Sequence, residues 1–226
     1  MPKLEKHFKN LGGEFFLPKP ELKRKLKDIK AFIFDWDGVF NDGIKYGEQG
    51  SPFSEADSMG TNLLRFNHWL WTGEMPLAII ITGAKNQSAK KFAEREHFQC
   101  VYLNYKDKQV AFEDLLKGHD LKAEQTAFFF DDVLDLGLAS QCGLRMAVRR
   151  KASPLFATYL RENGLADYLS GQEGGHHAVR EISELLIGLS GNYEEVVRKR
   201  IAFQGDYQSY FEARQSLETQ TKVYQL

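Results

Sequence analysis

Residues 30–39 read Lys30-Ala31-Phe32-Ile33-Phe34-Asp35-Trp36-Asp37-Gly38-Val39. A short apolar run halted by acidic residues predicts a buried strand. The aspartates stand at i and i+2, so on an extended backbone both carboxylates face the same side. Gly38 then lets the chain turn sharply away. The pattern repeats along the chain. Apolar runs over Leu77–Ile81, Cys100–Leu103, Thr126–Phe130 and Leu144–Val148 predict further strands. Helical spacing separates them over Asp57–Trp71, Gln87–His97, Lys108–Leu116 and Val133–Ser140, and more helices are expected over 154–162, 175–189 and 192–201. Strands alternating with helices predict an α/β fold, a doubly wound parallel sheet covered on both faces. Asn41 to Phe53, with Gly43, Gly47, Gly50 and Pro52, predicts a small turn-rich β-hairpin.

In such a sheet, ligands bind outside the carboxyl ends of the strands. Polar residues follow the apolar runs: Asp35 and Asp37 after the first, Thr82 and Gly83 after the second, Lys108 after the third, and Asp131, Asp132 and Asp135 after the fourth. Asp131 and Asp135, four apart, can face together on a helical turn. Crowded carboxylates repel, and a divalent cation relieves that; all-oxygen ligation suits Mg²⁺. One carboxylate can attack phosphorus, a second can serve as acid and base, and Thr82 and Lys108 can hold phosphoryl oxygens. Receiver domains also use acidic residues, Thr and Lys, but their acidic pair comes first and Lys last. Here a second acidic pair follows Lys108, which disfavours that reading.

Composition sets bounds. The 226 residues are 42% hydrophobic and 27% charged, with a net charge of −1. That is an ordinary globular balance with no basic excess to recommend nucleic acid. No apolar run reaches membrane-spanning length, and the N-terminus has no signal-peptide core, so no membrane partner is expected. Cys100 and Cys142 form no metal-ligand or disulfide pattern, which fits a cytoplasmic protein. Residues 1–30 hold nine Lys/Arg against four Asp/Glu. We therefore expect a basic, helical N-terminal extension over 1–29, a body over 30–190 with a flap near 41–53, and a helical C-terminal extension over 191–226.

With these residues placed, the chain resembles the haloacid dehalogenase (HAD) superfamily of phosphohydrolases. Asp35-Trp36-Asp37-Gly38-Val39 is similar to its first motif, Ile80-Ile81-Thr82-Gly83 to the second, Lys108 to the third and Asp131-Asp132-Val133-Leu134-Asp135 to the fourth. Phe53-Ser54-Glu55-Ala56-Asp57 and Gly174-Gly175-His176-His177-Ala178-Val179-Arg180-Glu181 resemble the 3-deoxy-D-manno-octulosonate 8-phosphate phosphatase family. The resemblance implies a Mg²⁺-dependent phosphomonoesterase without a large cap, acting on a small phosphorylated sugar acid, either that octulosonate or a nine-carbon analogue. It implies Asp35 as nucleophile and Asp37 as acid/base. Asp35, the Asp37 carbonyl, Asp131 and Asp135 would serve the metal, and Thr82, Gly83 and Lys108 the phosphate. It further implies a homotetramer in which a neighbouring subunit closes the site.

Several positions depart from the family pattern. Ala84 stands where Arg is common, Phe92 where a later Arg falls, Phe130 before the fourth-motif Asp, Ser58 after Asp57 where Gly is usual, and His177 in place of Gly. The phosphoryl-transfer set is complete while the sugar side has changed. Asp57 is expected either to cap its helix or to face the site, and His176 to sit in a loop over the substrate. The competing readings are a phosphatase for another small phosphometabolite and a catalytically idle oligomerisation module. A phosphotransferase would use the same intermediate. Retention of both Asp35 and Asp37 argues against the idle module.

Overall fold

Phe32 and Phe34 turn to one side of the sheet and Ile33 to the other, and all three are buried. This two-sided burial is why the strand reads as a continuous apolar run rather than an alternating one. The structure, a computed structural model, describes residues 2–47 and 51–225. Its strands are β1 (Glu14–Phe15), β2 (Ala31–Phe34), β3 (Leu77–Ile81), β4 (Cys100–Leu103), β5 (Thr126–Phe130), β6 (Leu144–Arg149), β7 (Tyr168–Glu173) and β8 (Gln220–Val223). They form one sheet in the order β1-β7-β6-β5-β2-β3-β4-β8, parallel except where β1 meets β7. From β2 the chain winds outward through β3 and β4, then returns to the other side of β2 with β5. The carboxyl ends of β2 and β5 therefore flank the point where the winding reverses, the position at which such sheets open a crevice.

The helices are α1 (Pro2–Asn10), α2 (Lys19–Asp28), α3 (Glu55–Thr72), α4 (Gln87–Arg95), α5 (Lys108–Gly118), α6 (Leu136–Ala139), α7 (Pro154–Glu162), α8 (Ala178–Ser190), α9 (Tyr193–Ala202) and α10 (Asp206–Gln215). One core joins Phe34, Phe129 and Met146 to Leu64 and Phe66 of α3 and Ile182 and Leu186 of α8. The other joins Ile33, Phe128 and Phe130 to Phe112 and Leu115 of α5 and Leu160 of α7. Ser54 caps α3 by accepting from the Asp57 backbone N–H at 3.2 Å. Among the described residues no helix is long and apolar enough to cross a membrane.

Three expectations are corrected. The described part of 41–53 holds no strand beyond an isolated bridge between Asp37 and Asn41, so the expected β-hairpin is absent there; Gly50 lies outside the described residues. Side chains take over the turn: Asn41 Oδ1 accepts from Gly43 N–H and Asp42 Oδ1 from Ile44 N–H, while Ser51 Oγ donates to the Ile44 carbonyl. Such Asx turns compete with a strand ladder for the same backbone groups. The helix expected from 175 begins at Ala178, because Gly175 and His177 have left-handed φ values of 78° and 70°. Residues 220–223, expected within a helical segment, form β8 beside β4. Likewise β1 pairs with β7, so segments from outside 30–190 supply both outermost strands.

Candidate active site

Asp35 leaves the end of β2, Lys108 opens α5 after β4, and Asp131 and Asp135 follow β5. Their side chains converge. Lys108 Nζ lies 2.6 Å from Asp35 Oδ1 and 2.5 Å from Asp135 Oδ1, with all three groups buried. Asp135 Oδ2 accepts from the backbone N–H groups of Asp131 and Asp132 at 3.4 and 3.3 Å. One oxygen from each of Asp35, Asp131 and Asp135 falls within 4.8 Å of the others. The group lines a cleft of about 610 Å³ that Thr82, Gly83 and Ala84 also enter.

Burial pushes the Asp35 carboxyl well above the usual carboxylate range; Lys108 opposes this, and Asp135 and Asp131 add to it. Burial alone would lower the Lys108 ammonium, but Asp35 and Asp135 more than reverse it and hold the lysine charged. Asp131 is pushed up to about 6 by burial, against a hydrogen bond from Arg150 and with repulsion from Asp135. The cluster is thus short of positive charge.

The Asp37 carboxylate turns to a different set of partners. It receives Asn86 Nδ2 at 2.7 Å, Ser51 Oγ at 3.2 Å and the Lys45 ammonium. Asn86 Nδ2 also donates to Thr82 Oγ1 at 2.7 Å, and Lys45 Nζ donates to Asn86 Oδ1 at 3.0 Å. Asn86 begins α4 as its N-cap residue, yet its side chain makes no capping bond. Its amide serves the cleft instead.

The donor set fits a hard divalent cation. Asp131 Oδ1 is buried with no hydrogen-bond partner, and it belongs to a triad of carboxylates. An unpaired buried carboxylate oxygen is costly, and a cation among these oxygens removes that cost.

Two expected site residues do not line this cleft. Asp57 is fully buried: Oδ1 accepts from the Arg180 N–H at 2.9 Å in the first turn of α8, and Oδ2 faces Ser54. It joins α3 to α8 and does not line the cleft. His176 lines a small neighbouring cleft with Gly38, Asn41, Asp42 and Arg150. Phe92 is enclosed by Trp36, Phe40, Phe53 and Phe98, inside the core. Conversely, Lys45, Asn86 and Arg150 line or brace the site without having been expected there. Arg150 directly follows β6, so the strand-end rule that found the aspartates would have found it. Asn86 carried only the weaker signal of a polar residue opening a helix.

No protein-family model matches the chain. It is 31% identical over 180 residues to the 3-deoxy-D-manno-octulosonate 8-phosphate phosphatase KdsC of Salmonella typhimurium, covering 78% of this chain and 88% of that one. The crystal structure of 3-deoxy-D-manno-octulosonate 8-phosphate phosphatase from Yersinia pestis is similar, with TM-score 0.63 and 30% identity over 77% of this chain and 89% of that one. So is the Moraxella catarrhalis phosphatase of the same name, solved with a magnesium ion, a phosphate ion and KDO, with TM-score 0.65 and 25% identity over 81% and 98% of the two chains.

Proposed function

This chain belongs to the 3-deoxy-D-manno-octulosonate 8-phosphate phosphatase family of HAD hydrolases acting on phosphoric monoesters, and on that premise we propose that it hydrolyses a small phosphorylated sugar acid through an aspartyl-phosphate. The observation that carries the reading is the convergence of Asp35, Lys108, Asp131 and Asp135 at the strand ends. The substrate proposed is 3-deoxy-D-manno-octulosonate 8-phosphate, the compound named for the relatives.

An Asp35 oxygen attacks the phosphorus in line, and the bond from phosphorus to the sugar oxygen breaks. Asp37 gives a proton to that leaving oxygen. Asp37, now a carboxylate, takes a proton from water, whose oxygen attacks the phosphorus and releases phosphate and Asp35. Lys108 and the Thr82 hydroxyl hold the phosphoryl oxygens as charge builds on them. Asn86 keeps the Asp37 carboxylate and the Thr82 hydroxyl in register. Asp35, Asp131 and Asp135 would hold Mg²⁺, which when bound supplies positive charge to the phosphoryl oxygens.

A neighbouring subunit in a homotetramer would cover the open cleft. Exposed Ile44 and Tyr46 on the turn after Asp37, and Leu134 at the cleft, support this. The test is phosphate release from a panel of phosphorylated sugar acids, sugars and nucleotides, with Mg²⁺ or chelator, for wild type and Asp35→Asn. Release from the octulosonate phosphate that needs both Mg²⁺ and Asp35 is expected. Release confined to other phosphates would discard the substrate and keep the chemistry; no release from any would discard both.

A further inference from the structure

Arg150 stands at the mouth of β6, opposite the carboxylate cluster. Its Nε and Nη2 both reach one oxygen of Asp131, Oδ2, with Nε at 3.1 Å. The other oxygen, Oδ1, is buried and unpaired. The two oxygens of one carboxylate are thus divided, one taken by the guanidinium and one left without a partner. The Asp131 side chain is almost fully enclosed, with 1% exposure, while that of Arg150 is 35% exposed. The contact also has a tight floor. A Cβ added at Gly38 would come within 2.0 Å of Asp131 Oδ2 and 2.2 Å of Arg150 Nη2. The turn after the Asp35–Asp37 pair therefore lies directly against this ion pair.

We propose that Arg150 is a positioning residue for the cation site: it grips Asp131 by Oδ2 and so aims Oδ1 at the space shared with Asp35 and Asp135. The inference rests on the cation reading of the site given above. A planar guanidinium offers two N–H groups in a fixed fork, which sets direction as well as charge. A metal-ligating carboxylate held from behind by a hydrogen-bond donor is a recurring way to fix ligand geometry. The opposite role is equally definite. A guanidinium that merely neutralises Asp131 would repel an incoming cation and have to be displaced by it.

The two roles differ in sign, and metal binding without turnover reads the sign. Mn²⁺ is titrated into substrate-free wild type, Arg150→Met, Arg150→Lys and Asp131→Asn, with free Mn²⁺ followed by electron paramagnetic resonance. Thermal unfolding in chelator checks that each variant is folded. A positioning role predicts affinity weakened about 10- to 100-fold in Arg150→Met. Arg150→Lys should fall short of wild type, because an ammonium restores the charge without the fork. Unchanged or tighter binding by Arg150→Met, or full rescue by lysine, would overturn the inference and leave the cation site standing. No Mn²⁺ binding by folded wild type would overturn both. If Arg150→Met does not fold, Arg150→Lys alone decides.

Discussion

Asn86 Nδ2 stands 2.7 Å from the Asp37 carboxylate, and the same nitrogen stands 2.7 Å from the Thr82 hydroxyl. One amide thus couples the proposed acid/base to the hydroxyl proposed to hold phosphate. Its remaining oxygen takes Lys45, which also reaches Asp37. The loop after β2 and the loop after β3 are held at one spacing by a single side chain.

Asn86→Ala should lower kcat/KM about 10-fold or more, since hydrogen bonds to charged groups contribute about 1.5–3 kcal/mol. Asn86→Asp should be worse, because it places a like charge beside Asp37. Steady-state kinetics on the best substrate of the panel checks both. Wild-type kinetics in Asn86→Ala would mean that Lys45 and Ser51 alone position Asp37.

Asp35→Asn should reduce phosphate release to background with the fold intact by circular dichroism. Asp37→Asn should cost about 10²–10⁴-fold in kcat, the range for a lost general acid or base. A comparably small loss from both would argue that neither carries its proposed role.

Gly38→Ala should be destabilising by about 1–3 kcal/mol, because φ is 85° there and the new methyl would meet the Asp131 carboxylate. Cation affinity should fall with it. Chemical denaturation and Mn²⁺ titration are the two measurements, and a variant as stable as wild type would show that the Asp131–Arg150 pair can move aside.

His68 supplies a pH dependence away from the cleft. Burial pushes its imidazole down to about 4. The unfolded imidazole takes a proton near pH 6.5, so between those values the unfolded state binds more protons and stability falls as pH falls. From pH 7 to pH 5 the loss assigned to this one group is about 2 kcal/mol. Urea denaturation of wild type and His68→Leu at both pH values should show a smaller acid loss in the variant by about that amount. An identical acid loss in both would remove His68 as its source.

Much of this was legible in the sequence because strands buried on both faces leave continuous apolar runs, and the chemistry follows those runs directly. Asp35, Thr82, Lys108 and Asp131 are found that way. The failures share a cause. β8 is short, polar and mostly exposed, so it carries no apolar signature; its place depends on an open edge of β4 that sequence does not display. Asp57 is expected either to cap its own helix or to face the site, and both readings miss its partner: it satisfies a helix N-terminus contributed from far along the chain. Arg150 obeys the same strand-end rule, yet its pairing with Asp131, which follows β5, is not visible in the sequence around it.

The position of β8 orders events in time. Asn104, which turns the chain after β4 with φ 67°, donates its Nδ2 to the Tyr224 carbonyl at 3.0 Å. Tyr224 in turn donates its N–H to the Leu103 carbonyl at 3.0 Å, and the Tyr105 and Tyr224 rings meet. The loop that delivers Lys108 is therefore braced by residues made long after it. On a ribosome, the strands from β2 to β7 emerge while β4 still has a bare flank, and the brace arrives only with residues 220–225. During synthesis, the loop leading into Lys108 is therefore among the last parts of the cleft to gain its full set of contacts.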